Sequence, residues 1–188
     1  ELADGEQLEA DVVLSNGNAA QTILELCSED AIPKRFRKKM RRMEHSLSGT
    51  QLFLGLDCDP RELGLDEHGQ LLVESYDSEE VWRSIAESSE RAPTDVPFMF
   101  ITNTTAVDPT VAPAGKGVLS VMTLDSVSSW NDLDAGGYGA RKAAVEKAII
   151  AKLEHVAPGI SEHIQVSELA TPRTVMRYTG HPEGSVYG

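Results

Sequence analysis

The positions best suited to ligand contact lie at the end of the chain, where Ser167 to Gly188 reads SELATPRTVMRYTGHPEGSVYG. Glycines at 180, 184 and 188 let the backbone approach a flat ligand closely, and Tyr187 offers a flat apolar body with one hydroxyl. His181 stands on the same loop. Other chemistry is poorly supplied. None of the five histidines pairs with cysteine, aspartate or another histidine at metal-ligand spacing, so no metal is expected. Gly184-Ser185 lacks the flanking glycines of a nucleophile elbow. Gly136-Gly137-Tyr138-Gly139 has the wrong spacing for a dinucleotide fingerprint, and Gly115-Lys116-Gly117 lacks the lead and the hydroxyl of a phosphate loop. Carboxylates are plentiful, yet no pair stands out. The residues by themselves yield no catalytic centre.

These positions need elements to hold them. Thr171 is an N-cap, Pro172 a first helical residue whose missing N–H costs nothing, and Gly180 a left-handed stop, which predicts a helix of about eight residues. Before it, His163 to Leu169 alternates as a strand. Ala140 to Val156 reads as the longest helix, with Val145, Ile149, Leu153 and Val156 as its core stripe and Asn131 to Gly139 as a glycine-rich approach. Pro97–Asn103 and Gly117–Leu124 are apolar on both faces and predict a mid-sheet antiparallel hairpin with a long ordered loop. Further strands are expected over Ala10–Ser15, Thr50–Asp57 and Gln70–Ser75. Short helices are expected after Asn18, after Asp59 and from Asp77 to about Ser88, with a polar loop over Ser89–Val96. The sum is an α+β domain, a mainly antiparallel sheet of four to five strands covered by helices.

Charge is distributed unevenly. The formal net charge is −13, which argues against nucleic acid as a general partner because phosphate binding needs surplus Lys and Arg. Positive charge concentrates at Lys34, Arg35, Arg37, Lys38, Lys39, Arg41 and Arg42. With Phe36, Met40, Met43 and Leu47 at helical spacing, the stretch is either a surface helix packed on the core or a basic amphipathic helix resting on an anionic membrane. Cys27 and Cys58 match no redox spacing and predict free thiols. No apolar run approaches the roughly 18 residues of a membrane span, and the first residues carry no signal-peptide pattern. The expected location is cytoplasmic, at most peripheral to a membrane.

Several segments together resemble one family. ADVVLSN, LFLGLD, the loop DPTVAPAGK, Trp130 to Leu133 and, most specifically, TPRT through RYTGHPEGSVYG are similar to the phytoene desaturase group of flavoproteins. That group includes carotenoid desaturases, carotenoid isomerases and retinol saturases. The resemblance implies a substrate-binding domain inserted into a FAD-binding one, with the glycine fingerprint and the closing FAD segment outside this chain and the fragment alone inactive. It implies that residues 1–30 are a remnant of the flavin domain, 31–180 the substrate-binding domain and 181–188 a loop returning towards the flavin. It implies FAD contact at Gly184, Ser185, Tyr187 and Gly188, and polyene contact at Thr171, Arg173 and His181. The implied partners are a lipophilic polyene, the missing FAD domain and a membrane surface at the Lys34–Arg42 helix. A non-catalytic lipid-binding or interaction module is the alternative. With its partner domain absent, the terminal loop is expected to be frayed or packed on a neighbour.

Overall fold

In the computed structural model, which describes residues 4–86 and 95–186, Asn18 caps the first helix as its spacing with Gln21 predicts. Its Oδ1 accepts the Gln21 N–H at 3.0 Å. Helix α1 (Ala19–Gln21) then runs on as a π-helical turn over Thr22–Leu26. The described residues divide between Glu44 and His45 into two units. In the first, Val12, Val13 and Leu14 are 83, 84 and 94% exposed and form no strand. The strand expected over Ala10–Ser15 is therefore not present. Its side chains favour extended backbone, but a strand needs a neighbour for its N–H and C=O groups, and the sheet among the described residues does not include it.

The basic helix is also shorter than its apolar spacing predicts. Helix α2 covers Lys34–Met40, and Leu47 lies outside it. A helix of this length has little stability of its own, and what anchors it is Arg37. That side chain does not belong to the wet basic face where the sequence pattern puts it. It is 7% exposed, with Nη1 donating to the Ile23 carbonyl at 2.9 Å and Nη2 to the Leu24 carbonyl at 2.9 Å. Its planar fork thus supplies partners to the carbonyls that a helix end leaves vacant. Arg37→Ala should cost about 1–3 kcal/mol locally. Amide exchange at Cys27, whose N–H bonds the Thr22 carbonyl, should quicken about tenfold or more, and unaltered exchange there would refute the capping role.

The second unit is the α+β layer that the alternation predicts. Strands β1 (Ser48–Leu56), β2 (Gly69–Val73), β3 (Phe98–Asn103), β4 (Gly117–Asp125) and β5 (Ile164–Ala170) form one antiparallel sheet. Their order is β2-β3-β4-β1-β5, which puts the apolar hairpin β3-β4 inside the sheet. Helix α3 (Ser78–Ala86) starts under Asp77, whose Oδ1 accepts the Glu79 N–H at 2.9 Å. Its expected continuation to Ser88, and most of the loop over 89–96, lie outside the described residues.

Helix α4 (Ser128–Asn131) leads into α5 (Ala135–Val156), which begins five positions earlier than its core stripe suggests. The reason is Asp134, whose Oδ1 accepts the Gly137 N–H at 2.7 Å and so makes the glycine-rich approach the first helical turn. Val145, Ile149 and Leu153 of α5 pack on Leu52, Leu54, Leu56, Met99, Ile101, Leu119 and Val121 to form the core. Among the described residues of this unit, α5 packs on this face of the sheet.

Past α5 the chain turns through α6 (Ile160–His163) and β5 into α7 (Pro172–Thr179). Glu154 holds the α5–α6 turn by accepting from the Gly159 and Ser161 N–H groups, both at 2.8 Å. Hydrogen bonds from Ser161, then from Gly159, hold its carboxyl below the usual glutamate range. A depressed carboxyl contributes stability above its unfolded pKa, near 4.3, and loses it as pH falls through the folded value. Glu154→Gln should therefore lower stability at neutral pH and flatten the further loss on acidification below about pH 4.3, as urea unfolding against pH would show; an unchanged neutral-pH stability with an unchanged acid limb would contradict the role of these hydrogen bonds.

Candidate functional site

The face of the sheet opposite α5 carries apolar side chains interspersed with polar ones. Register aligns Leu71, Phe100, Met122, Gln51 and Ala170 in one row across all five strands. The next row holds Thr102, Ser120, Phe53 and Glu168, and a third holds Val118, Gly55 and Val166. Leu71 is 60% exposed, Val166 62%, Phe53 43% and Phe100 39%. Two glycines shape this surface: a Cβ at Gly69 would meet the Phe100 ring at 3.2 Å, and one at Gly55 would meet Val166 at 3.2 Å. Phe100 thus lies down over Gly69. Four strand spacings of about 4.8 Å make this face about 19 Å across. The sequence shows both faces of β3 and β4 as apolar, but which face stays open depends on where α5 lies.

At one end of the sheet the terminal motif assembles as its caps predict. Thr171 is fully buried and forms a capping box with Thr174, its N–H donating to Thr174 Oγ1 at 3.1 Å. Helix α7 runs from Pro172 to Thr179 and stops at Gly180 with φ of 68°. Thr171 Oγ1 also lies 2.9 Å from Tyr138 Oη. Arg173, exposed, stacks over the Tyr138 ring at 4.7 Å, and Tyr138 meets Trp130 edge to face at 5.6 Å. Trp130 Nε1 donates to the buried Asp125 at 2.8 Å. Tyr138, Glu168, Arg173, Thr174, Arg177 and Tyr178 line an open concavity of about 440 Å³. Of the residues assigned to polyene contact, Thr171 and Arg173 therefore stand together. Nothing in the sequence pattern pointed to Tyr138 as the ring beneath them.

His181 sits elsewhere on the motif. It is half-buried, with Nδ1 3.1 Å from the Ser185 carbonyl. The loop it opens is packed on its neighbours. Ser48 Oγ donates to the Gly184 carbonyl at 2.6 Å, and the Val186 N–H to the Leu47 carbonyl at 3.2 Å. Gly184 has φ of +64°, and a Cβ there would lie 2.6 Å from the Pro172 carbonyl oxygen, so contact within the chain itself requires this glycine. Ser185 is 2% exposed, and its Oγ has no hydrogen-bond partner among the described residues. Tyr187 and Gly188 lie outside the described residues.

The DPTVAPAGK loop is built by local caps. Asp108 Oδ1 accepts from the Thr110 N–H at 2.9 Å and Thr110 Oγ1 at 2.6 Å, which holds its carboxyl below the usual range. At the base of the loop, Asn103 Nδ2 donates to the Leu65 carbonyl at 2.8 Å.

No protein-family model matches the chain. Individual relatives do. It is 27% identical over 190 residues to the chloroplastic prolycopene isomerase of Daucus carota, covering 100% of this chain and 28% of that protein. It is 27% identical to the 4,4′-diapolycopene oxygenase of a Methylomonas species, over 100% of this chain and 35% of that one. The all-trans-retinol 13,14-reductase of Danio rerio is 24% identical over 95% of this chain and 31% of its own length. Along its whole length the chain is similar to phytoene desaturase-like proteins of carotenoid and retinoid chemistry. The motif resemblance is thus borne out. The chain spans between 28 and 35% of the length of these relatives.

Among the described residues, no helix is long and apolar enough to cross a membrane.

Proposed function

We propose that this chain is the substrate-binding segment of a FAD-dependent oxidoreductase or isomerase acting on a carotenoid- or retinoid-like polyene. The observation that carries the reading is the set of exposed apolar side chains Leu71, Phe53, Phe100 and Val166 on one sheet face, set beside relatives named as a prolycopene isomerase, a 4,4′-diapolycopene oxygenase and an all-trans-retinol 13,14-reductase. A polyene is long, flat and without hydrogen-bonding groups, so it gains from a broad apolar wall that excludes water and needs few polar partners. On this reading Leu71, Phe100, Phe53 and Val166 line one wall of the substrate site, with Glu168 a polar neighbour of Phe53 on the edge strand β5.

The terminal loop fits a flavin in one respect. Ser185 Oγ, buried and unpartnered among the described residues, would hold a hydrogen bond to it. Gly184 is already accounted for by its contact with Pro172. Bound FAD would supply the redox chemistry; the residues of this chain orient the polyene and keep water away. The longer protein carrying this segment should purify yellow, with flavin absorbance, and a colourless longer protein that takes up no FAD would overturn the enzyme reading.

A second reading, lipid-surface binding, rests on α2. Arg35, Lys38, Lys39 and Arg42 line a concavity of about 490 Å³ with Met43, beside Phe36, which is 42% exposed. Cations and an exposed ring on one short helix suit an anionic membrane surface. Binding to vesicles containing phosphatidylserine should fall steeply with salt. Lys38→Glu with Lys39→Glu should abolish it, whereas Arg37, a buried structural cap, has to be left intact. Vesicle binding that ignores both salt and the charge reversal would return α2 to an ordinary surface helix.

A further inference from the structure

Just beyond the end of β1, Asp57, Cys58 and His163 each bring one ligand atom to within 4.8 Å of the others. Sequence spacing hides this cluster because 106 positions separate Asp57 from His163. The fold closes the distance in two ways. The Asp57 N–H donates to the His163 carbonyl at 3.0 Å, which ties the two backbones together. Between Gly55 and Leu56 the β1–β5 register shifts, pairing Gly55 with Val166 but Leu56 with Ile164. A bulge of this kind re-aims side chains that a regular ladder would send to alternate faces.

Two of the three side chains meet directly. His163 Nδ1 lies 2.8 Å from Asp57 Oδ1, and Gln165 Nε2 donates to Asp57 Oδ2 at 3.1 Å, so the carboxylate is oriented by a second partner. Cys58 is a free thiol, 8% exposed, while the Asp57 and His163 side chains are 40 and 39% exposed. The thiol is therefore the inner ligand, and the other two face solvent, from which an ion can enter. Asp57 and Asp59 flank Cys58 in the chain, and Glu62 follows four positions on. The same carboxylates favour a cation in that place.

We propose that Asp57, Cys58 and His163 form a binding site for a divalent transition-metal ion, with Zn²⁺ the best match. Thiolate and imidazole together disfavour Mg²⁺ and Ca²⁺, which take oxygen ligands. Three protein ligands leave a fourth tetrahedral position open to water. Binding converts the neutral Cys58 thiol to a metal-bound thiolate, and its proton leaves to solvent. The ion clips the turn after β1 to the start of β5, at an edge of the sheet and independently of any polyene.

The test is a Co²⁺ titration of this chain under a phosphine reductant. The expected result is one equivalent bound, with visible d–d bands and a near-ultraviolet thiolate-to-cobalt band, all displaced by Zn²⁺. Cys27→Ser should keep every band, and Cys58→Ser should lose the near-ultraviolet one. Because Asp57 and His163 are half exposed, Asp57→Asn and His163→Ala should fold normally and weaken Co²⁺ binding at least about tenfold. Absence of a near-ultraviolet band in the unaltered chain, its survival in Cys58→Ser, or undiminished affinity in His163→Ala would each overturn the site.

Discussion

Replacing Trp130 with alanine should lower the free energy of unfolding by about 3–5 kcal/mol, the range for truncating a large buried aromatic. Trp130 is fully buried, and three partners depend on it. Asp125, itself 6% exposed, loses the indole N–H at 2.8 Å and keeps Thr50 Oγ1 at 3.0 Å, the Ser126 N–H at 2.8 Å and Ser129 Oγ at 3.3 Å. Tyr138 loses its edge-to-face neighbour, and Arg141 loses the ring 5.2 Å beneath its guanidinium. Trp130→Phe fills much of the space but leaves Asp125 short of a donor, so about 1–3 kcal/mol is expected there. Urea unfolding measures both. Because Tyr138 carries Arg173, the alanine variant should also loosen the polar end of the proposed site. A loss under about 1 kcal/mol for Trp130→Ala would mean the aromatic pair does not hold that end together.

The second large effect is expected at Gly184→Val. A β-branched residue at φ of +64° is strained by about 1–3 kcal/mol. The added Cβ, 2.6 Å from the Pro172 carbonyl oxygen and 2.8 Å from Ser48 Oγ, forces a shift worth about 1–3 kcal/mol more. The total of about 2–6 kcal/mol should appear as a fall in Tm of roughly 5–20 °C. Gly184→Ala separates the two causes poorly, since it meets the same oxygen. Ser48→Ala is the useful companion, because it removes one neighbour and the 2.6 Å bond to the Gly184 carbonyl while leaving the backbone clash. If Gly184→Val proves as stable as the parent sequence, the packed loop described here is wrong.

What the sequence disclosed and what it concealed follow from the range of the forces involved. Helix α7 was legible to the residue because Thr171, Pro172 and Gly180 act within one or two turns. The strands were legible because leucines at 52, 54 and 56 alternate against a buried face. Ala10–Ser15 has strand composition without a strand, since pairing is a property of neighbours and not of the segment. Arg37 reads as one more surface cation, and only the positions of the Ile23 and Leu24 carbonyls make it a buried cap. The start of α5 was missed because glycine propensity argues for a loop there, while the single Asp134 cap and the packing behind it decide for helix. At the site, apolar residues on both faces of β3 and β4 were visible. The rows joining Leu71 to Phe100 and Phe53 to Glu168 depend on the register of strands far apart in the chain.

If the sheet face opposite α5 is the polyene wall, as proposed, charged side chains placed on it should stop turnover. Phe53→Glu with Phe100→Glu should be made in the longer protein that the proposed function assigns to this segment; both side chains are partly exposed in this chain, and their replacement should leave folding and FAD content unchanged. Consumption of a carotene or retinoid, followed by its visible or near-ultraviolet absorbance, is expected to fall at least about a hundredfold, since two charged groups would have to be desolvated against the substrate. Full polyene turnover by the folded, FAD-loaded double variant would contradict the account.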